Sequence, residues 1–71
     1  MENNIKSYIQ GAYETQAIMQ DGYRLIGRLS DNEGELIYIL RHANGNQMKV
    51  TITATEVFVF KNGKVKKHLL F

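Results

Sequence analysis

Seventy-one residues hold one small domain, which excludes a multi-domain machine. At that length a single core is marginal, and the absence of Cys removes both a disulfide framework and a thiolate metal site as reinforcement. A hydrophobic share of 44%, a charged share of 23% and no Pro describe a folded chain, not a disordered one. No apolar run approaches the roughly 18 residues of a membrane span, and no signal-peptide pattern opens the chain, so a soluble, cytoplasmic protein is expected.

The net charge is +2, unevenly spread. Lys61, Lys64, Lys66 and Lys67 stand in residues 61–71 without an acid, while residues 1–60 hold five basic and seven acidic groups. A basic tail on a mildly acidic body suits a polyanion. Lysines along a sheet edge also keep sheets from pairing with one another, which is the plainer reading of the same residues.

The chain opens on a short predicted helix over 4–10. Ile5, Tyr8 and Ile9 make one apolar stripe at i, i+3 and i+4, Asn3 or Asn4 offers an N-cap, and Gly11 suits the left-handed C-terminal position. Two turns are unstable alone, so the stripe has to dock on something.

After Gly11 the period reads as 2. Asp21-Gly22, Asn44-Gly45 and Asn62-Gly63 are strong hairpin signals, and Asn32-Glu33-Gly34 is a weaker turn. They divide the chain into six predicted strands, at 12–20, 23–30, 35–43, 47–54, 56–61 and 64–70. Tyr23, Leu25, Gly27 and Leu29 then share one face, and Arg24, Ile26, Arg28 and Ser30 the other. Met48, Val50, Ile52 and Ala54 alternate with Lys49, Thr51, Thr53 and Thr55. Leu36–Leu40 is apolar on both faces and calls for cover on each. Gly27 in mid-strand marks a sharp bend or a close backbone approach. The expectation is an all-β single domain: a small, strongly bent antiparallel barrel of five or six strands over 12–60, preceded by a helix and followed by the basic segment 61–71.

Chemistry-bearing motifs are sparse. His42 and His68 have no metal-ligand spacing, and Asp31, Glu33 and Glu35 read as a polar turn. No phosphate-cradling Gly motif and no nucleophile motif occurs. The reading is a non-catalytic protein without metal or cofactor and without a small-molecule substrate. Seven aromatic rings remain to be placed, and Phe58 and Phe60 fall on one face of the 56–61 strand. Rings beside Lys can stack on nucleic-acid bases, although core packing is the commoner role of Phe.

The run Ile18-Met19-Gln20-Asp21-Gly22-Tyr23-Arg24-Leu25-Ile26-Gly27-Arg28-Leu29 resembles the first signature of the Sm-like fold, especially of the bacterial Hfq type. That signature is an apolar strand, a tight Asp/Asn-Gly turn, and a strand bent at its Gly. Asn46-Gln47-Met48 through Val57 resembles the second, and the resemblance covers about residues 4–60. It implies a helix followed by bent strands, a homo-oligomeric ring, and RNA as partner. The family's Lys-His pair falls on Thr51 and Ile52, so the pair is absent here. The positions of its opposite face fall on Gly22–Ile26, where Tyr23 and Arg24 would contact base and phosphate. With the basic residues added, the candidate RNA-binding set is Tyr23, Arg24, Arg28, Lys61, Lys64, Lys66 and Lys67. The ring contact needs free strand edges. A 64–70 strand folded back on 56–61 would occupy one of them, whereas a tail turned away would add a basic rim. The second reading keeps the barrel and makes it a protein–protein or assembly module without RNA.

Overall fold

The structure is a computed structural model that describes residues 2–31 and 33–71, with side chains from residue 5 onward. One helix, α1 (Glu2–Gln20), precedes five strands: β1 (Tyr23–Ser30), β2 (Leu36–His42), β3 (Gln47–Ile52), β4 (Glu56–Lys61) and β5 (Lys64–Leu70). The strands form one antiparallel meander in the order β1-β2-β3-β4-β5. The sheet is open, with β1 and β5 as its edges, so it does not close into the small barrel expected over 12–60, and α1 lies against one of its faces. β5 folds back on β4 and occupies its outer edge.

The expected strand at 12–20 is helix. Helical spacing governs the buried positions of α1, since Ser7, Gly11, Thr15 and Ile18 all face the sheet. The hydroxyl of Thr15 donates to the Gly11 carbonyl one turn earlier, at 2.8 Å. Gly11 therefore sits in mid-helix and does not end it. Ile52 lies so close that a Cβ at Gly11 would collide with its Cγ1 and Cδ1. The docking face is a row of small residues, not the Ile5–Tyr8–Ile9 stripe. Ile5 and Ile9 are 60% and 51% exposed, and Tyr8 is half-buried with its hydroxyl donating to the Gly34 carbonyl. The capping role expected of Asn3 or Asn4 lies outside the described side chains.

The helix ends where a hairpin was expected. The amide of Asp21 donates to the carbonyls of Ala17 and Ile18, and that of Gly22 to Met19. Gly22 has φ +101°, which makes Asp21-Gly22 a helix C-terminus leading into β1. The other two Asn/Asp-Gly pairs do join strands. At Asn44-Gly45 only Gly45 is left-handed, and its amide closes the turn on the His42 carbonyl. At Asn62-Gly63 both residues have positive φ, 49° and 84°, as a two-residue primed turn requires. Asp31 organises the β1–β2 turn, its Oδ1 accepting from the amides of Glu33 and Glu35. Asn32 of that turn lies outside the described residues.

The core lies between α1 and the sheet: Ile18, Leu40, Met48, Val50, Ile52, Val57 and Val59, with Tyr8, Tyr23, Leu36, Tyr38, Leu69 and Phe71 against it. The ladder registers assign the two faces. Leu36, Tyr38 and Leu40 pair with Ile52, Val50 and Met48, and this set faces the helix. Ile37, Ile39 and Arg41 pair with Thr51, Lys49 and Gln47 on the opposite side, the helix-free face.

In β1 the expected alternation breaks. Its register with β2 slips between Leu25 and Gly27, so Ile26 is an extra residue with no partner in the ladder. Before the slip, Tyr23 and Leu25 share the helix face with their partners His42 and Leu40. After it, Arg28 and Ser30 do so, opposite Tyr38 and Leu36. Arg24 joins Gly27 and Leu29 on the helix-free face. One inserted residue thus exchanges the faces of half the strand. The irregularity sits at Ile26, not at Gly27. A Cβ at Gly27 would meet Ile39 at an ordinary 3.6 Å.

Candidate nucleic-acid interface

The helix-free face carries three cross-strand rows. Leu29, Ile37, Thr51, Phe58 and His68 form one, and Gly27, Ile39, Lys49, Phe60 and Val65 the next. Arg24, Arg41 and Gln47 make the third, beside the β2–β3 turn. Thr51 is only 9% exposed although no helix covers this side, because the larger neighbours in its row close over it. Among the strand residues that the ladders place here, Glu56 is the one acid, and its Oε2 lies 2.8 Å from His68 Nε2.

Three rings stand nearly parallel. Phe58 and His68 are cross-strand partners stacked at 4.2 Å with 8° between planes, and Phe58 and Phe60 follow at 6.0 Å and 20°. Lys49 closes the series, with Nζ 4.6 Å from the centroid of Phe60. Alternation on β4 produces this arrangement: Val57 and Val59 fill the core while Phe58 and Phe60 project from the other side. Beside Phe60 a hollow runs between Ile39, Lys49 and Gln47 to the Asn62-Gly63 turn. Asn62 is occupied in holding that turn: its Oδ1 accepts from the Gln47 amide at 3.0 Å, and its own amide donates to the Gln47 carbonyl. Exposed Gln47 is left to present donors and an acceptor to the hollow.

The candidate residues read from sequence do not form one patch. Arg24 alone among them is on the helix-free face. Tyr23 lies on the helix side, its ring edge-on to His42 at 5.1 Å. Arg28 sits over the Tyr38 ring on that same side, 5.9 Å from the centroid. Lys61 and Lys64 are partners across the β4–β5 hairpin, and Lys61 pairs with core-facing Met48 on its other side. Lys66 and Lys67 line a groove between α1 and β5 together with Glu14 and Asp21.

Lys67 is committed to that groove, its Nζ donating to Glu14 Oε1 at 2.8 Å. Burial by itself would raise the Glu14 carboxyl. The hydrogen bonds from Lys67 and Gln10, with the Lys67 charge, outweigh it and hold Glu14 below the usual carboxylate range. This contact ties β5 to the helix.

Sequence reasoning missed Arg41, Lys49 and His68 as neighbours of Arg24 and the Phe pair. The period-2 pattern of 47–54 and 56–61 places Lys49 with Phe60 once the Asn44-Gly45 and 53–55 turns are known. Nothing in the sequence marks the extra residue at Ile26 that turns Arg24 toward Arg41. Among the described residues no cluster of His, Asp and Glu could hold a metal ion. No described helix is long and apolar enough to cross a membrane.

Comparison with protein-family models, with curated proteins and with solved structures finds no match for this chain.

Proposed function

We propose that the protein is a binder, not a catalyst, and that it holds single-stranded RNA across the helix-free face of the sheet. The observation that carries this is the run of His68, Phe58 and Phe60 rings beside Lys49, Arg24 and Arg41, on a face whose one strand carboxylate is already paired with His68. Bases offer π-faces to such rings whatever their sequence, and phosphates are attracted to the cations. Lys49 is exposed, so it swings off Phe60 at little cost. A base then extends the existing stack, and the freed ammonium meets the adjoining phosphate. Gln47 reaches the edge of a base lying in the hollow beside Phe60.

The Sm-like resemblance of residues 18–29 is not part of this support, because residues 18–20 are helix, Asp21-Gly22 ends that helix, and the irregularity of β1 lies at Ile26. In this reading the strand lies on a sheet face of one chain, and ring closure is not required.

Fluorescence anisotropy with a labelled oligouridylate and a labelled oligoadenylate tests the proposal. Neutralising three phosphates by Arg24, Arg41 and Lys49 gives a slope of log affinity against log salt of about −2, or roughly a 15-fold loss between 50 and 200 mM salt. Phe60→Ala and Phe58→Ala each lower affinity by about 1–3 kcal/mol. Absence of binding at the lower salt rules the reading out.

A second reading, assembly through a protein contact, is favoured by the free edge of β1, where Leu25, Ile26 and Leu29 are 42%, 56% and 56% exposed. Sedimentation at several concentrations separates a self-associating chain from a monomer.

A further inference from the structure

Arg24 and Arg41 stand directly opposite each other on β1 and β2. Two like charges in that position repel and weaken the strand pair. Arg28, by comparison, is compensated by the Tyr38 ring. Among the described residues neither the Arg24 nor the Arg41 side chain has an ion pair, a hydrogen bond or a ring contact. Both are exposed and border a shallow hollow completed by Ile26, His42 and Gly45, in which no carboxylate takes part. The pairing exists only because Ile26 is inserted. Had the register of residues 27–30 continued, Arg24 would have fallen opposite His42 on the helix side.

We infer that Arg24 and Arg41 form a two-pronged site for a phosphomonoester, and that its occupant is the terminal phosphate of the RNA strand lying on the rings; this rests on the RNA reading above. Charge selects the monoester. A terminal phosphate carries about −1.5 to −2 at neutral pH, against −1 for an internal diester, and so matches two unpaired guanidiniums. Donor chemistry agrees, because each guanidinium offers a planar fork of donors and a terminal phosphate offers three oxygens to receive them. Position agrees as well. The arginines occupy the last row of the face, and beyond them the β2–β3 strands end in the turn at 43–46. A strand stacked over Phe58 and Phe60 and running toward that turn brings its end to the pair.

Anisotropy with an internally labelled oligouridylate bearing a 5′-phosphate, a 3′-phosphate or hydroxyls at both ends tests this. One of the two phosphorylated strands is expected to bind about tenfold more tightly than the hydroxyl-ended one, the gain of one charge-assisted contact, and which of them does so gives the polarity. Arg41→Gln and Arg24→Gln should each reduce that gain to less than about twofold, as expected when one prong of a bidentate site is lost. Equal affinity for all three strands overturns the phosphate site and leaves RNA binding standing. No binding of any strand overturns both. Tighter binding of a phosphoserine peptide than of any strand reassigns the arginine pair to a phosphoprotein and overturns the inference.

Discussion

The α-carbon of Gly11 rests on Ile52, with no room between them for a methyl group. Ile52 is 1% exposed and cannot retreat, so this contact limits how closely the helix approaches the sheet at this point. Gly11→Ala gains roughly 1 kcal/mol of helix propensity. Overpacking against Ile52 costs about 1–3 kcal/mol and more where the neighbour cannot move. A net loss of stability is expected in urea unfolding. Combining it with Ile52→Val should cost less than the two single changes together, since the shorter side chain relieves the clash. An unchanged or raised urea midpoint for Gly11→Ala would contradict the packing described.

Glu14 and Lys67 give the fold a pH dependence of known sign. The folded carboxyl of Glu14 is held below its unfolded value, so its contribution is complete above about pH 4.5 and is lost as pH falls through the lower folded value. The contribution is modest, on the order of 1 kcal/mol or less, because Lys67 is 49% exposed. Comparing the native chain with Glu14→Gln by urea unfolding at pH 7 and pH 3 should show a stability difference at pH 7 that shrinks at pH 3. A difference that grows on acidification would contradict it.

Asn62 does three jobs in one turn. It adopts φ 49°, its amide donates to the Gln47 carbonyl, and its Oδ1 accepts from the Gln47 amide. Asn62→Ala loses the side-chain bond and fits the left-handed conformation poorly, for a combined cost of about 1–3 kcal/mol. Asn62→Gly keeps the conformation and should recover part of that loss. Equal stability of the Ala and Gly variants would show that the turn conformation matters less than the side-chain bond.

The basic tail and the sheet-face cations should separate in binding. Lys66 and Lys67 border the helix-side groove, and Lys61 and Lys64 lie at the hairpin end, whereas Arg24, Arg41 and Lys49 flank the rings. Changing Lys64 and Lys66 to Gln should lower RNA affinity less than changing Arg24 and Lys49 to Gln at the same salt. The reverse order would move the interface to the tail. Removing residues 61–71 altogether is a poor test, since Leu69 and Phe71 pack against the core and the loss of β5 bares the edge of β4.

Five of the six expected strands are present, because Gly-containing turns and period-2 runs such as 47–52 and 56–61 are local signals. Residues 12–20 misled because Gly11 reads as a helix stop in isolation, whereas in the fold it is a contact surface for Ile52, forty-one positions away. The site was legible only in pieces. Phe58 and Phe60 on one face follow from alternation. Their neighbours His68 and Lys49 follow once the strand registers are set. Arg24 beside Arg41 depends on a one-residue bulge at Ile26 that no local pattern announces, and the same bulge sends Tyr23 to the helix side.

The most direct measurement is a titration of the isotopically labelled chain with an oligouridylate, followed by amide and side-chain chemical shifts. The account predicts that the shifts concentrate on Arg24, Arg41, Gln47, Lys49, Phe58, Phe60 and His68, while the outer side of α1 at Ile9 and Tyr13 stays unmoved. Shifts confined to the α1–β5 groove around Glu14, Lys66 and Lys67, or no shifts at all, would contradict it.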